Sequence, residues 1–277
     1  MKVVRTVAEL REARAALPGP VAFVPTMGAL HEGHASLVDA AKRASASVVA
    51  SVFVNPTQFG PNEDFTRYPR DESADLAMME SLGVDLAFLP SVDEMYPPGA
   101  TTFVEVGRLG EVLEGAARPG HFRGVATVVT KLFDMVQPVR AYFGQKDGQQ
   151  SVVVKRLARD LALPVEIVIC PTVREQDGLA RASRNRYLTP EERAQAPALY
   201  RALEAARAAA GDGERSADKL RAIMLDALAP ATLGKPDYVS IADAETLEEL
   251  SVLDRPALAS LAVRFTSARL IDCEPLD

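Results

Sequence analysis

Apolar residues along the chain fall into short runs separated by longer stretches of helical period. Residues 21–25 (VAFVP), 47–54 (SVVASVFV), 84–89 (VDLAFL), 139–143 and 165–170 (VEIVIC) are rich in β-branched and aromatic side chains and predict strands. Between them, residues 34–46, 71–82, 125–136 and 151–161 place apolar positions at i, i+3, i+4 spacing and predict helices. Asp71 and Glu72 fall in the first turn of the second of these, where negative charge complements the helix dipole. Residues 1–17 alternate like a strand followed by a helix and carry charges throughout.

Strands alternating with helices predict an α/β protein with a Rossmann-like, doubly wound parallel sheet. After about residue 172 the texture changes. Residues 190–229 are Ala-rich and helical, interrupted at Gly211-Asp212-Gly213, and residues 238–241 and 257–272 then read as strands with little helix between them. Strands in succession predict a smaller C-terminal α+β domain with an antiparallel sheet. The expected domains are residues 1–175 and 176–277. No internal repeat is visible.

Composition narrows the picture. The chain has 277 residues, 48% hydrophobic and 25% charged, enough for a large core. No apolar run is long enough for a bilayer span, and the N-terminus lacks the apolar block of a signal peptide. The expectation is a soluble protein with no membrane partner. Cys170 and Cys273 are far apart and lack ligand spacing, so two buried thiols in a reducing cytoplasm are expected. Net charge is −7 with no basic stripe, which argues against nucleic acid. An anionic small ligand would need a site that concentrates Lys and Arg against the global field.

Chemistry collects at predicted strand ends. The segment PTMGALHEGH, residues 25–34, links the strand at 21–25 to a helix. Ligands of open parallel sheets sit where such loops lie. Gly28 permits a tight turn, and Gly33 leaves room at the helix start. His31 and His34, two of three histidines in the chain, share one helical face. A helix N-terminus and two imidazoles suit a phosphate group. Neither GxxxxGK[ST] nor GxGxxG is present, and a metal reading lacks further ligands.

Three further loops leave strands. VFVNPTQFGPNEDFTRYPRD supplies Asn55 and Gln58, whose amides both donate and accept, as a carboxylate with hydroxyls requires. AYFGQKDGQQ brackets Lys146 and Asp147 between Gly144 and Gly148, a Lys to reach phosphate and an Asp for a ribose hydroxyl or Mg²⁺. REQDGLARASRNRY holds Arg174, Arg181, Arg184 and Arg186, the densest positive stretch of an acidic chain. It reads as a mobile basic loop able to close on a triphosphate. GHFRGVATVV, residues 120–129, runs from His121 into an amphipathic helix.

HEGH resembles the HIGH signature of the nucleotidyltransferase superfamily, with Glu32 in the Ile place. In order and wording, PTMGALHEGH, FVNPTQFGPNEDF–YPR, GHFRGVATVV–KLF, YFGQKD–QQ and DGLA–SRN–YL together closely resemble the pantothenate synthetase family over most of residues 20–190. The resemblance implies an enzyme that joins pantoate to β-alanine, converting ATP to AMP and pyrophosphate through a pantoyl-adenylate. It implies Mg²⁺ with the ATP, a homodimer, and a C-terminal domain acting as a lid. It assigns Met27, Gly28, Ala29, Leu30, His31, Glu32, Gly33 and His34 to the ATP site, with His34, His31 and Lys146 taking part in the phosphoryl chemistry. Gly144, Gln145, Lys146, Asp147, Val173, Arg181, Ala182, Ser183 and Arg184 would also contact ATP. Gln58 and Gln150 would bind pantoate, with Gln58 also facing β-alanine and Asn55 beside it. Pro25, Met27, Val128, Val129 and Phe143 would form the apolar wall for the gem-dimethyl group. It names no metal ligand.

The chain departs from the family pattern at Gln145, where Glu is usual, at Gly148, where an aromatic is usual, and at Arg181 and Ala182, where an apolar residue and a serine are usual. Two other readings fit the residues alone: a different HIGH-type nucleotidyltransferase whose product keeps the nucleotide, and a non-catalytic nucleotide sensor.

Overall fold

The computed structural model describes residues 1–61 and 63–276; Asn62 of the second motif and Asp277 lie outside them. By internal contact the chain forms two compact units, Met1–Gly144 with Val153–Cys170, and Gln145–Val152 with Pro171–Asp277.

The first unit is built on β1 (Lys2–Val4), α1 (Val7–Ala15), β2 (Val21–Thr26), α2 (Glu32–Ala44), β3 (Ser47–Val52), α3 (Glu72–Ser81), β4 (Leu86–Phe88), α4 (Val92–Met95), α5 (Glu114–Ala117), α6 (His121–Val136), β5 (Arg140–Gly144) and β6 (Glu166–Cys170). The sheet order is β1-β4-β3-β2-β5-β6, and every pairing is parallel. From β2 the chain winds to β3 and β4 on one side and later to β5 and β6 on the other. The switch point therefore lies between β2 and β5, where an open α/β sheet leaves a crevice beyond its carboxyl edge. Val21 to Val24 of β2 and Val48 to Ala50 of β3 are buried without alternation, as strands covered on both faces require.

In the second unit, α8 (Pro190–Gln195), α9 (Ala198–Gly211) and α10 (Ala217–Leu228) accompany an antiparallel sheet of β7 (Lys235–Asp243), β8 (Ala257–Arg264) and β9 (Arg269–Leu276). Ala202, Ala206 and Leu203 of α9, Leu220 and Met224 of α10, and Ala259 and Leu261 of β8 share one core. Among the described residues no helix is long and apolar enough to cross a membrane.

The architecture agrees with the expected fold class, and several elements differ in detail. The N-terminal strand is a sixth member of the sheet, paired with β4 at its edge. Residues 257–272 are two strands rather than one. Phe265 and Ala268 are buried and keep the stretch apolar, while the Phe265 N–H donates to Ala268 O and closes a hairpin. Pro197 separates α8 from α9 within the helical stretch 190–229. α6 begins at His121, four residues before its apolar stripe. Finally, α7 (Gly148–Asp160) begins three residues earlier than expected, so Gly148 opens a helix instead of closing a turn.

Gly148 has a packing reason to lack a side chain. A Cβ there would come within 2.6 Å of Cys273 Sγ and 2.8 Å of Leu258 Cδ2, both in the second unit. Burial pushes the Cys273 thiol up to about 12, so it stays protonated, and it donates to Gln145 O at 2.9 Å. Gly148→Ala is expected to lower stability by about 1–3 kcal/mol, the usual cost of overpacking. In a Cys273→Ala background the same change costs less, read as a positive coupling in a denaturant-melt double-mutant cycle. Additive costs would remove the steric explanation.

Candidate active site

The β2–α2 turn starts where β2 leaves the sheet beside the switch point. Thr26 Oγ donates to Ser51 O at 2.7 Å and accepts from the Gly28 N–H at 3.2 Å. Gly28 (φ 80°) and Ala29 (φ 51°) are both left-handed, a conformation that glycine allows freely and alanine adopts under constraint. The next two amides, of Ala29 and Leu30, donate to the two oxygens of Asp75 on α3, at 3.0 and 2.7 Å.

His31 and His34 then cap α2 reciprocally. His31 Nδ1 accepts from the Gly33 N–H at 3.1 Å, and His34 Nδ1 accepts from the His31 N–H at 3.3 Å. This is the arrangement of a capping box, with imidazoles in the places usually taken by Ser or Thr and Glu. Capping has a chemical consequence. A neutral imidazole that accepts at Nδ1 carries its hydrogen at Nε2, so both rings are held as Nε2–H donors, their centroids 4.2 Å apart. The absence of a side chain at Gly33 admits the His31 ring, which would lie 2.8 Å from a Cβ there. The expectation that backbone N–H groups would offer themselves to phosphate is thereby revised. Those of Gly28, Ala29, Leu30, His31 and Gly33 have acceptors within the protein.

Gln58 lies in the 3₁₀ turn Pro56–Gln58, capped by Asn55. Its amide N–H₂ donates to Met27 Sδ at 3.1 Å, and its Oε1 accepts from Asn55 Nδ2 at 3.0 Å. Asn55 is 1% exposed and wholly occupied. Nδ2 also donates to Gly124 O at 3.1 Å, and Oδ1 accepts from Thr57 N, Thr57 Oγ and Tyr96 OH at 3.3, 2.9 and 3.0 Å. It orients Gln58 and has no polar capacity left for a ligand. Gly124 of α6 makes the close approach possible, since a Cβ there would overlap Thr57 O at 2.4 Å.

The third histidine supports the same turn. His121 Nδ1–H donates to Gln58 O at 2.8 Å, while its Nε2 accepts from Arg118 at 3.1 Å. Arg118 in turn grips both oxygens of Glu63 at 2.7 and 2.6 Å. The sequence contained this group as ARPGHFRG, but its partner Glu63 lies 55 positions away in the chain.

Of the expected apolar wall, Pro25 is on β2, Val128 and Val129 are buried in α6, and Phe143 on β5 meets Phe133 edge-on at 6.4 Å. Gly144 ends β5. The remaining candidates belong to the second unit. Lys146 Nζ lies 3.2 Å from Asp147 Oδ1, Gln145 and Gln150 flank the start of α7, and the Arg181 N–H donates to Val173 O at 2.9 Å. Ala182 precedes the 3₁₀ turn Ser183–Tyr187, and Arg181, Ser183 and Arg184 are half-buried. Within the basic segment, Asn185 Nδ2 donates to Ala180 O at 2.9 Å. Arg174 drops out as a phosphate ligand. It is bound by Asp272 and Glu274, each at 2.6 Å, and stacks 4.1 Å over Tyr200.

A doubly wound sheet whose switch-point strand runs into a paired-histidine helix cap defines the class of HIGH-type nucleotide-handling enzymes. The family model described as pantoate-beta-alanine ligase matches residues 2–274, and the chain belongs to that family. It is 62% identical over 273 residues to the pantothenate synthetase of Chloroflexus aurantiacus, covering 98% of this chain and 97% of that one. The crystal structure of pantothenate synthetase from Thermus thermophilus superposes with a TM-score of 0.95 at 55% identity, covering 99% of each chain. The pantoate-beta-alanine ligase from Francisella tularensis, solved with β,γ-ATP and β-alanine, superposes with a TM-score of 0.80 at 33% identity over 99% of this chain and 97% of that one.

The His121 cluster makes stability depend on acid. Burial, and then the charge of Arg118, hold the His121 imidazole down to about 4, against 6.5 for an exposed one. The unfolded chain thus binds the proton more readily. The contribution is complete above pH 6.5, falls as the pH drops towards 4 and is then exhausted, in total on the order of 3 kcal/mol. Burial raises the Glu63 carboxyl, but Arg118 outweighs it and holds it low, extending the loss below pH 4.5. Denaturant melts between pH 7 and 4 are expected to show this fall, and His121→Gln to flatten it. An unchanged slope in the variant would assign the dependence elsewhere.

Proposed function

We propose that the chain condenses pantoate with β-alanine, driven by ATP, through a pantoyl-adenylate, releasing AMP and pyrophosphate. The observation that carries this reading is the hydrogen bond between Gln58 and Met27. It joins an amide suited to a carboxylate and hydroxyls to the first residue of the turn that ends in the His31–His34 cap.

In the first step a pantoate carboxylate oxygen attacks the α-phosphorus and pyrophosphate leaves. In the second, the β-alanine nitrogen attacks the carbonyl carbon of the mixed anhydride and AMP leaves. The protein's part is positioning and electrostatics. The Nε2–H donors of His34 and His31 follow charge onto the phosphate oxygens, with Lys146, Arg181 and Arg184 adding positive charge and Ser183 a hydroxyl. Gln58 and Gln150 hold pantoate, and Pro25, Met27, Val128, Val129 and Phe143 take its methyl groups. Residues 176–277 act as the lid that keeps the anhydride from water. Ala182 lacks the hydroxyl usual in the family, and Arg181 supplies a donor in its place.

Mg²⁺ accompanies the ATP. Among the described residues no three His, Cys, Asp or Glu side chains gather as a metal cage. Asp147, whose Oδ1 lies 3.2 Å from Lys146 Nζ, would supply a carboxylate to such an ion. Bound there, the ion would neutralise phosphate charge. The family likeness further supports a homodimer in the cytoplasm. A native mass twice that of the chain is the expected result of light scattering.

AMP release measured with each substrate omitted in turn is expected only when ATP, pantoate and β-alanine are all present. A stable nucleotidylated product would overturn the ligase reading. His34→Ala is expected to lower kcat by about 10²–10³-fold, the scale of one transition-state donor; an unchanged kcat would remove His34 from the chemistry.

A further inference from the structure

Asp75 lies one turn into α3, a position where an acidic residue would ordinarily be solvated. It is instead 3% exposed. Its two oxygens accept from consecutive amides, Ala29 at 3.0 Å and Leu30 at 2.7 Å. A Cβ at Gly28 would stand 2.8 Å from Oδ2, so the turn is drawn against the carboxylate as closely as a glycine allows. Ala29, at φ 51°, holds a conformation that an alanine keeps only when its surroundings impose it. The paired charge-assisted bonds are able to impose it. The residue after this pinned pair is His31, the cap of α2.

We propose that Asp75 is a positioning residue for the nucleotide site: by gripping the Ala29 and Leu30 amides it sets the left-handed turn, and through it the place and tautomer of His31 and His34. This rests on the ligase reading for its kinetic consequence, but not for its structural one. A neutral amide at position 75 offers one acceptor oxygen and turns an N–H₂ group towards the second backbone N–H. The turn then loses one bond and gains a donor–donor contact. Asp75 also lines an open cavity of about 450 Å³ with Met27, Val52 and Arg70, which gives a replaced side chain and water room to settle without unfolding the sheet.

The test compares the full-length protein with Asp75→Asn, Asp75→Glu and, as a control on the same helix, Glu72→Gln, whose partner is Arg5 on the surface. Asp75→Asn is expected to lower kcat ~10- to 100-fold, the scale of a misplaced catalytic group, with KM for ATP changed much less. Asp75→Glu should restore part of the loss, and Glu72→Gln should leave it at the level of the parent. Two readouts do not depend on turnover. The parent is expected to show slow amide exchange at Ala29 and Leu30 and imidazole ¹⁵N shifts that place the hydrogens of His31 and His34 at Nε2; in Asp75→Asn both signatures are expected to be lost while the protein remains folded. Parental kcat in Asp75→Asn, or fast exchange of the two amides in the parent, overturns the assignment. If Asp75→Asn fails to fold, the exchange and ¹⁵N measurements on the parent and Asp75→Glu decide it. A parent that releases no AMP from the three substrates sinks the ligase reading alone, because the exchange and ¹⁵N results still decide what Asp75 does to the turn.

Discussion

Between the last residue of β2 and the first turn of α2, the backbone turns back on itself and has to find partners for its amides away from any strand. Thr26 Oγ, the Asp75 carboxylate, His34 Nδ1 and His31 Nδ1 take the hydrogens of Gly28, Ala29 and Leu30, His31 and Gly33 respectively. Unpartnered buried amides are costly, so this internal satisfaction is what lets the turn hold one shape. Many nucleotide-binding turns offer their amides to the ligand; here those amides are engaged within the protein, and the two capping imidazoles hold their hydrogens at Nε2. The same bonds that start the helix thus decide which ring nitrogen can donate.

The second element of the site depends on a comparable matching of polar groups. Gln58 has its carbonyl held by His121 and Arg118, its Oε1 by Asn55 and its amide by Met27. Asn55 commits every donor and acceptor to this task, and Gly124 lets the turn approach α6 at backbone distance. A side chain with this many restraints has little conformational freedom left to lose. The arrangement uses His121 as a neutral linker between a carbonyl and a guanidinium, which is why its burial and its depressed basicity belong together.

In the second unit, the departures from the family wording have local packing consequences. Gly148, in place of an aromatic, lies against Cys273, and that thiol in turn holds the carbonyl of Gln145, the other departure in the same loop. Arg174 shows the opposite case, a charge that looked available for phosphate and is instead the centre of a half-buried cluster with Asp272, Glu274 and Tyr200. The arginines further along, Arg181, Arg184 and Arg186, remain candidates for nucleotide.

The parallel sheet, its helices and the turn carrying His31 and His34 were legible in the sequence because they rest on local signals: short β-branched runs, helical periodicity and glycine at a strand end. The five motifs were equally legible as a family pattern. Element boundaries at Gly148, Gly120 and residues 265–268 were less so, since glycine marks a turn and a close contact alike, and buried turn residues look like strand. What only the tertiary structure decided are the partners. Asp75 reaches a turn 45 residues away, Glu63 reaches Arg118, and Asp272 reaches Arg174. Each is an ordinary charged residue in its own neighbourhood of the chain, and its role is set by what the fold brings against it and shields from water. Sequence by itself determined the fold class and the family pattern of the turn; folding decided which polar groups are committed to holding that turn.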